Sequence, residues 1–325
     1  MTMFESNAHI LITGGTGFFG TAFLRYLKSL GGEAPRLTIL SRNPERFSWR
    51  HSDLVKLAEW TKGDVLVPNS LPLGRQYSHI LHCATDSTLG PNLSPLDRYI
   101  QIVEGTRNIL EYAVASGAKR FLLTSSGGVY GPQPQNMEFI PEDYNGMPDP
   151  LEANHSYSVA KRCAEHLCEL YRDLHGIDTV IARCFAFAGR DLPLDAHFAI
   201  GNFVRDALKG PEIYVVGDGT PIRSYMDQRD LAHWLMTLLP CGEAGQAYNV
   251  GSDVPITIAE LAKKVRDLIA PNKSVRIIGT ANGNNFRNRY VPSIKKALGD
   301  HRLSLTYTLE ESIRSMAFPN LDQDI

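Results

Sequence analysis

Little in this sequence is extreme, and each shortage excludes something. Its 325 residues include only five cysteines, at positions 83, 163, 168, 184 and 241, with no Cys-x-x-Cys pair among them. Neither a zinc site nor a disulfide framework is signalled, so no metal is expected. Scattered thiols fit a reducing cytoplasm. Excess charge is missing too: 33 Lys and Arg against 35 Asp and Glu leave a net charge of −2. That offers no footing for nucleic acid or an anionic membrane surface. No apolar run approaches the roughly twenty residues that span a bilayer. The first residues lack the charged-then-apolar layout of a secretory signal, so a cytoplasmic protein is expected. Repeats and low-complexity stretches are absent as well. What remains is an ordinary globular composition, 43% apolar and 21% charged, in a chain long enough for one large or two closely joined domains.

Apolar runs alternate with helical stretches. Strands are predicted at 9–13, 37–41, 79–84, 120–125 and 179–184, and helices at 21–30, 97–116 and 159–175. Nearly wholly apolar strands separated by helices predict a parallel sheet covered on both faces. Later, Gly and Pro interrupt shorter helices, at 200–208 and 258–269, with a strand at 212–216. That predicts a smaller mixed α/β lobe. The expected division is 1–183 and 184–325, with a return segment near 223–250 packing on the first domain.

The first predicted strand runs into Thr13-Gly14-Gly15-Thr16-Gly17-Phe18-Phe19-Gly20. Strand, glycine turn and helix start are how a Rossmann-type, doubly wound α/β sheet holds a dinucleotide. Gly14 permits the turn, Gly17 lets a pyrophosphate approach the backbone, and Gly20 lets helix pack on strand. Exposed N–H groups and the positive helix end favour the diphosphate; Thr16, Phe18 and Phe19 belong to the same turn. A tight turn without a ligand is the plainer alternative. About 20 residues further on, an acidic residue would accept the ribose 2′-hydroxyl of NAD. Here the chain reads Leu40-Ser41-Arg42-Asn43, with no carboxylate. Ser41 can donate to a 2′-phosphate and Arg42 can pair with it, which favours NADP over NAD, unless Arg42 is only a solvated loop residue. Gly63-Asp64-Val65 follows a third strand region, where Asp64 either accepts from the adenine amino group or caps a plain turn.

A second motif, Tyr157-Ser158-Val159-Ala160-Lys161, places a phenol and an ammonium on one helix face. An isolated phenol has a pKa of about 10, and a nearby cation lowers it, so Tyr157 with Lys161 is a proton-transfer pair. Upstream, Thr124-Ser125-Ser126-Gly127-Gly128 ends a strand in hydroxyls at the carboxyl edge of the sheet, where ligands bind. Ser126 is the candidate to share a hydrogen bond between Tyr157 and a substrate oxygen; loop capping is the alternative. A hydride carrier beside a proton donor points to an alcohol–carbonyl interconversion.

Together these motifs resemble the extended short-chain dehydrogenase/reductase family, the epimerase/dehydratase enzymes that modify nucleotide sugars. The resemblance runs from about residue 8 to 318. It is carried by 13–20, Asp64, His82-Cys83-Ala84, Glu104-Gly105-Thr106, 125–131, Tyr157 with Lys161, and Arg183-Cys184-Phe185. It implies Ser126, Tyr157 and Lys161 as the catalytic group, cofactor contacts at Val65 and Ala84, and a nucleotide-diphospho-sugar bound in the C-terminal lobe. Gly201-Asn202-Phe203 and the segment 217–225 resemble the parts that hold the diphosphate, with Arg223 as the cation and Asn202 as a neutral donor. Arg287 and Arg289 are further phosphate candidates, with surface charge as the equal alternative. A homodimer is implied too, through a four-helix core built on 97–116 and 159–175. There Ile102, Ile109, Tyr112, Leu167 and Leu170 exceed what one sheet face needs.

The departures narrow the reaction. Dehydratases of the family follow the catalytic hydroxyl with Asp and Glu, and decarboxylases keep the Glu; here both places are glycine, Gly127 and Gly128. Water elimination needs a general acid beside the leaving oxygen, so dehydration and decarboxylation are disfavoured unless an acid such as Asp227 or Glu142 folds in. Ala186 replaces a further donor after Arg183-Cys184-Phe185. Two reactions fit: NADPH-dependent reduction of a 4-keto nucleotide sugar, and 4-epimerisation with bound NAD. Ser41 and Arg42 tip the reading toward the reductase. A non-catalytic nucleotide-binding protein on the same scaffold is opposed by the intact Ser126, Tyr157 and Lys161.

Overall fold

The computed structural model describes residues 4–31, 34–85, 93–280 and 288–319, so Arg287 lies outside the described residues. Strands and helices are numbered in chain order. Strand β1 (His9–Thr13) is nearly devoid of exposed surface from Ile10 to Ile12, which a strand covered on both faces requires. Beside it lie β2 (Arg36–Ser41) and β3 (Glu59–Lys62) on one side. On the other lie β4 (His79–His82), β5 (Arg120–Ser126), β6 (Asp178–Cys184) and β11 (Ala247–Val250). The sheet has the order β3-β2-β1-β4-β5-β6-β11, and every pair is parallel. This is the expected doubly wound, Rossmann-type sheet. The strand order reverses between β1 and β4, and the crevice outside their carboxyl ends is the natural ligand site.

Alternation along β1 sends its side chains into two core layers, since successive residues of a strand face opposite ways. Ile10 and Ile12 join the layer built with α1 (Phe18–Leu30) and α6 (Gln228–Cys241), where Trp234 is fully buried. Leu11 joins the layer built with α3 (Pro95–Ala115) and α4 (Ser156–His175). The helix α2 (Pro44–Arg50) and the strand β3 close the β2 edge. At the far edge α8 (Lys295–His301) packs near β11.

The third core joins α5 (Ala199–Lys209), α7 (Ile258–Ile269) and α9 (Leu309–Ala317) to the parallel pair β8 (Ile213–Val215) and β13 (Val275–Ile277). Both α7 and α9 begin with reciprocal capping boxes, Thr257 with Glu260 and Thr308 with Glu311. Short ladders tie this lobe to the sheet. One pairs β7 (Phe187–Ala188) with β10 (Met226–Asp227). The other sets β9 (Ile222–Arg223) between β12 (Ile256–Thr257) and β14 (Arg289–Tyr290).

One expectation about the surface needs correction. Ile102, Ile109 and Tyr112 lie in the core beneath α3, at most 5% exposed, and Leu167 is partly buried against that core. They sit on the helix faces that the sheet covers. The outward stripes carry Leu96, Ile100 and Val114 on α3 and Leu170 and Leu174 on α4. Among the described residues, no helix is long and apolar enough to cross a membrane.

Candidate active site

The glycine turn is shaped by contacts that admit no side chain. Gly14 has φ +73°, and a Cβ there would lie 2.7 Å from the Cys83 carbonyl on the neighbouring strand end. A Cβ on Gly20 would lie 2.2 Å from the Gly15 backbone, so α1 could not approach β1 as it does. Gly17 caps α1 without a capping side chain, and the first turn holds no acidic residue. The first N–H groups of α1 therefore face the crevice with their partial positive charge, a cradle that fits a diphosphate. Phe18 and Phe19 turn away to pack on Phe187, with centroids 6.4 and 5.3 Å away.

At the end of β2, the Ser41 hydroxyl is buried, donates to Thr16 Oγ1 at 3.5 Å and accepts from the Asn43 N–H at 3.2 Å. Arg42 is exposed beside it. Thr16 and Ser41 are thus brought together, with Arg42 next in the chain. Asp64 caps its own turn, accepting from the Leu66 N–H at 2.9 Å, while Val65 is buried under α3. Ala84 follows β4 at the crevice, its N–H 3.3 Å from Thr13 Oγ1. His82 is buried between Thr13 Oγ1 at 2.7 Å and Thr106 Oγ1 at 3.3 Å. Burial, with the Lys161 charge adding to it, lowers its pKa to about 3, so it stays neutral and structural.

The hydroxyls ending β5 divide their work. Thr124 donates to the His82 carbonyl at 3.0 Å, and Ser125 donates to Glu165 at 2.5 Å; both serve the scaffold. Ser126 accepts from the Gly128 N–H at 3.1 Å and stands near enough to the Tyr157 phenol to act on its pKa. Tyr157 stands in the first turn of α4. Burial raises its pKa above the usual phenol value, opposed by Ser126 and by Arg98. The Arg98 guanidinium lies 4.3 Å from the ring centroid. Lys161 lies one turn further along α4. Its Nζ is 6.0 Å from the Tyr157 ring and donates to Thr85 Oγ1 and the Thr124 carbonyl, each at 2.8 Å. Burial lowers its pKa to about 8. Of the two cations at the phenol ring, Arg98, which carries no motif, is the nearer.

On the substrate-lobe side, Arg223 in β9 donates to the carbonyls of Ile222 and Asn288, both at 2.8 Å, and its guanidinium is 6.0 Å from the Tyr290 ring. Arg289 donates to the Glu138 carbonyl at 2.7 Å. Asn202, on α5, accepts from Arg205 at 2.9 Å. The acids that could have entered the site are engaged elsewhere. Asp227 caps α6 and holds Arg229 at 2.9 Å, and it accepts from Ser312 at 2.7 Å. Glu142 accepts from the Asn249 N–H at 2.8 Å. Glu165 is gripped by Arg183 at 2.9 Å as well as by Ser125.

Comparison with known proteins places this geometry. A family model described as the NAD dependent epimerase/dehydratase family matches residues 10–251. UDP-glucuronic acid decarboxylase 6 of Arabidopsis thaliana is 30% identical over 302 residues, 91% of this chain and 84% of the relative. Among solved structures, the UDP-glucose 4-epimerase of Thermotoga maritima with UDP-glucose superposes with a TM-score of 0.83 at 19% identity, covering 96% of this chain and 99% of that one. RMD from Pseudomonas aeruginosa complexed with NADPH gives 0.77 at 23% identity, covering 96% and 98%.

Proposed function

The chain belongs to the NAD dependent epimerase/dehydratase family, and from that premise we propose that it reduces the 4-keto group of a nucleotide-diphospho-sugar, with NADPH as the reductant. It is an enzyme of the extended short-chain dehydrogenase/reductase type. The bound nicotinamide dinucleotide supplies the hydride. Residues 1–183 hold that cofactor and residues 184–325 the sugar nucleotide.

The observation that carries this reading is a buried phenol, Tyr157, near two glycines at 127 and 128, with the neighbouring Glu165 carboxylate held by Arg183 and Ser125. Tyr157 is a phenol kept protonated at neutral pH, because burial raises its pKa. Such a group is poised to give its proton to a carbonyl oxygen as that oxygen gains negative charge. Ser126, at the end of β5 near the phenol, orients the oxygen. The Arg98 charge and the start of α4 stabilise the phenolate left behind. Lys161, pinned on Thr85 and the Thr124 carbonyl, holds the cofactor's ribose. Arg223 and Asn202 take the diphosphate. Ser41 and Arg42 favour the 2′-phosphate of NADP. Five free thiols suit a cytoplasmic enzyme.

Supplied with a 4-keto-6-deoxy nucleotide sugar made by a separate dehydratase, the protein should oxidise NADPH in a one-to-one ratio. Given unmodified nucleotide hexoses alone, it should form no 4-keto product absorbing at alkaline pH. That product would restore the dehydratase reading. Tightly held NAD with interconversion of C4 epimers and no net redox would replace reduction by epimerisation, which the same residues can perform.

A further inference from the structure

One segment of the second lobe is fastened to the cofactor helix at two places. Helix α1 leaves the glycine turn with Phe18 and, seven residues later, Arg25 on one face. Phe18 packs against the third core as well as the first, beside Phe187 of β7. Arg25 grips Asp191 with both arms of its guanidinium, Nε to Oδ2 at 2.7 Å and Nη2 to Oδ1 at 2.9 Å. The stretch from Phe187 to Asp191 therefore runs beside α1, from its cofactor end to two turns along it.

Asp191 is held from the other side as well. Gln228, buried at the start of α6, donates to Oδ2 at 2.8 Å and accepts from the Asp191 N–H at 3.0 Å. A Cβ on Gly189 would lie 2.5 Å from Gln228 Cγ, so the glycine is what lets the amide reach across the chain. Three donors thus converge on one carboxylate whose side chain is only 10% exposed. An ion pair this shielded loses to desolvation much of what attraction gives it. What it supplies is geometry, since a bidentate fork holds one orientation.

The geometry it holds is that of the loop leading to α5. Leu192, next to Asp191, is buried in the third core. A Cβ on Gly201, in the first turn of α5, would lie 2.7 Å from the Pro193 carbonyl oxygen and 3.4 Å from Leu194 Cα. Loop and helix meet there backbone to backbone, and Asn202 is the next residue. A shift of Asp191 is passed through Pro193 to Gly201 and Asn202 with no soft side chain between them.

We propose that Arg25 and Asp191 are positioning residues for the sugar nucleotide: their pair locks segment 187–202 onto the cofactor helix and so sets Asn202 where it takes the diphosphate. The inference rests on the nucleotide-sugar reading of the second lobe and adds what aligns that lobe. Arg25 stands two turns, about 10 Å, along α1 from the N–H groups that face the cofactor, so its loss should leave the cofactor's own affinity in place.

The test is calorimetry of UDP and dTDP, and separately of NADPH, on wild type, Arg25→Met, Asp191→Asn and the double variant. Each single variant should bind the nucleoside diphosphate roughly five-fold or more weakly, as coupled sites do, with NADPH affinity kept within about two-fold. The double variant should be no weaker than either single one, because both remove the same link. Arg25→Lys keeps the charge without the fork and should lose an intermediate amount, which keeps the test open if Arg25→Met does not fold. Unchanged UDP and dTDP affinity in every folded variant overturns the inference and leaves the nucleotide-sugar reading standing. A parallel loss of NADPH affinity, or additive losses in the double variant, also overturns it, since either marks a loosened fold. Wild-type protein that binds neither UDP nor dTDP overturns both readings together.

Discussion

Burial acts on Tyr157 and Lys161 in opposite senses, raising the phenol and lowering the ammonium, because low dielectric disfavours whichever form is charged. Tyr157→Phe should fold and bind cofactor normally yet lose turnover by roughly 100-fold or more; near-normal rates would refute its role as proton donor. Lys161→Ala should weaken cofactor binding as well. At the adenine end, wild-type protein should bind NADPH more tightly than NADH. Arg42→Ala should remove most of that difference, since a charge-assisted contact is worth about 1.5–3 kcal/mol. Equal affinities in the wild type would remove Arg42 from the argument. Calorimetry of the four combinations reads both outcomes.

Three elements meet at His82: Thr13 of β1 on one ring nitrogen, Thr106 of α3 on the other, and β4 itself. The ring is neutral in the fold, with a pKa near 3 against 6.5 for an ordinary histidine. A depressed histidine pKa means that the unfolded chain binds the extra proton first. Stability from the neutral ring is full above about pH 6.5 and is lost as pH falls toward 3. The slope reaches about 1.4 kcal/mol per pH unit for one proton. His82→Gln should be less stable at pH 8 but flatter between pH 6.5 and 5, as urea melts across that range would show. Parallel slopes for variant and wild type would mean that His82 does not set the acid limit. His79, also lowered, to about 4, remains in both proteins and cancels from the difference.

At the scale of the molecule, the second lobe meets the end of β5 where β14 sets the Tyr290 hydroxyl against Gly127. The outward stripes of α3 and α4 offer Ile100, Leu170 and Leu174, with Leu174 75% exposed, and on these the proposed homodimer would form. Ile100→Asp combined with Leu174→Asp should convert a dimer to a monomer in light scattering at micromolar concentration, with the sheet core untouched. A wild-type protein already monomeric there would end the dimer proposal.

The sequence by itself determined the sheet and its crevice. Apolar runs such as Ile10-Leu11-Ile12 can only be strands covered on both faces, and the glycines at 14 and 20 can only be a turn of close approach, so periodicity and sterics within a short window suffice. It also placed Ser126 and Tyr157 on neighbouring elements, which the structure brings close enough for the serine to act on the phenol pKa. The strand β11 and helix α6 carried weaker local signals, and their place beside β6 and α1 depends on what they pack against. The tertiary structure alone decided that Ile102 and Ile109 face inward and that Lys161 turns to Thr85 while Arg98 covers the phenol. It alone decided that Gly127 and Gly128 are bare because Tyr290, Phe185 and Ser158 fill their space. A glycine in a sequence reads as a missing side chain. Only packing between segments far apart in the chain shows whose atoms stand in its place.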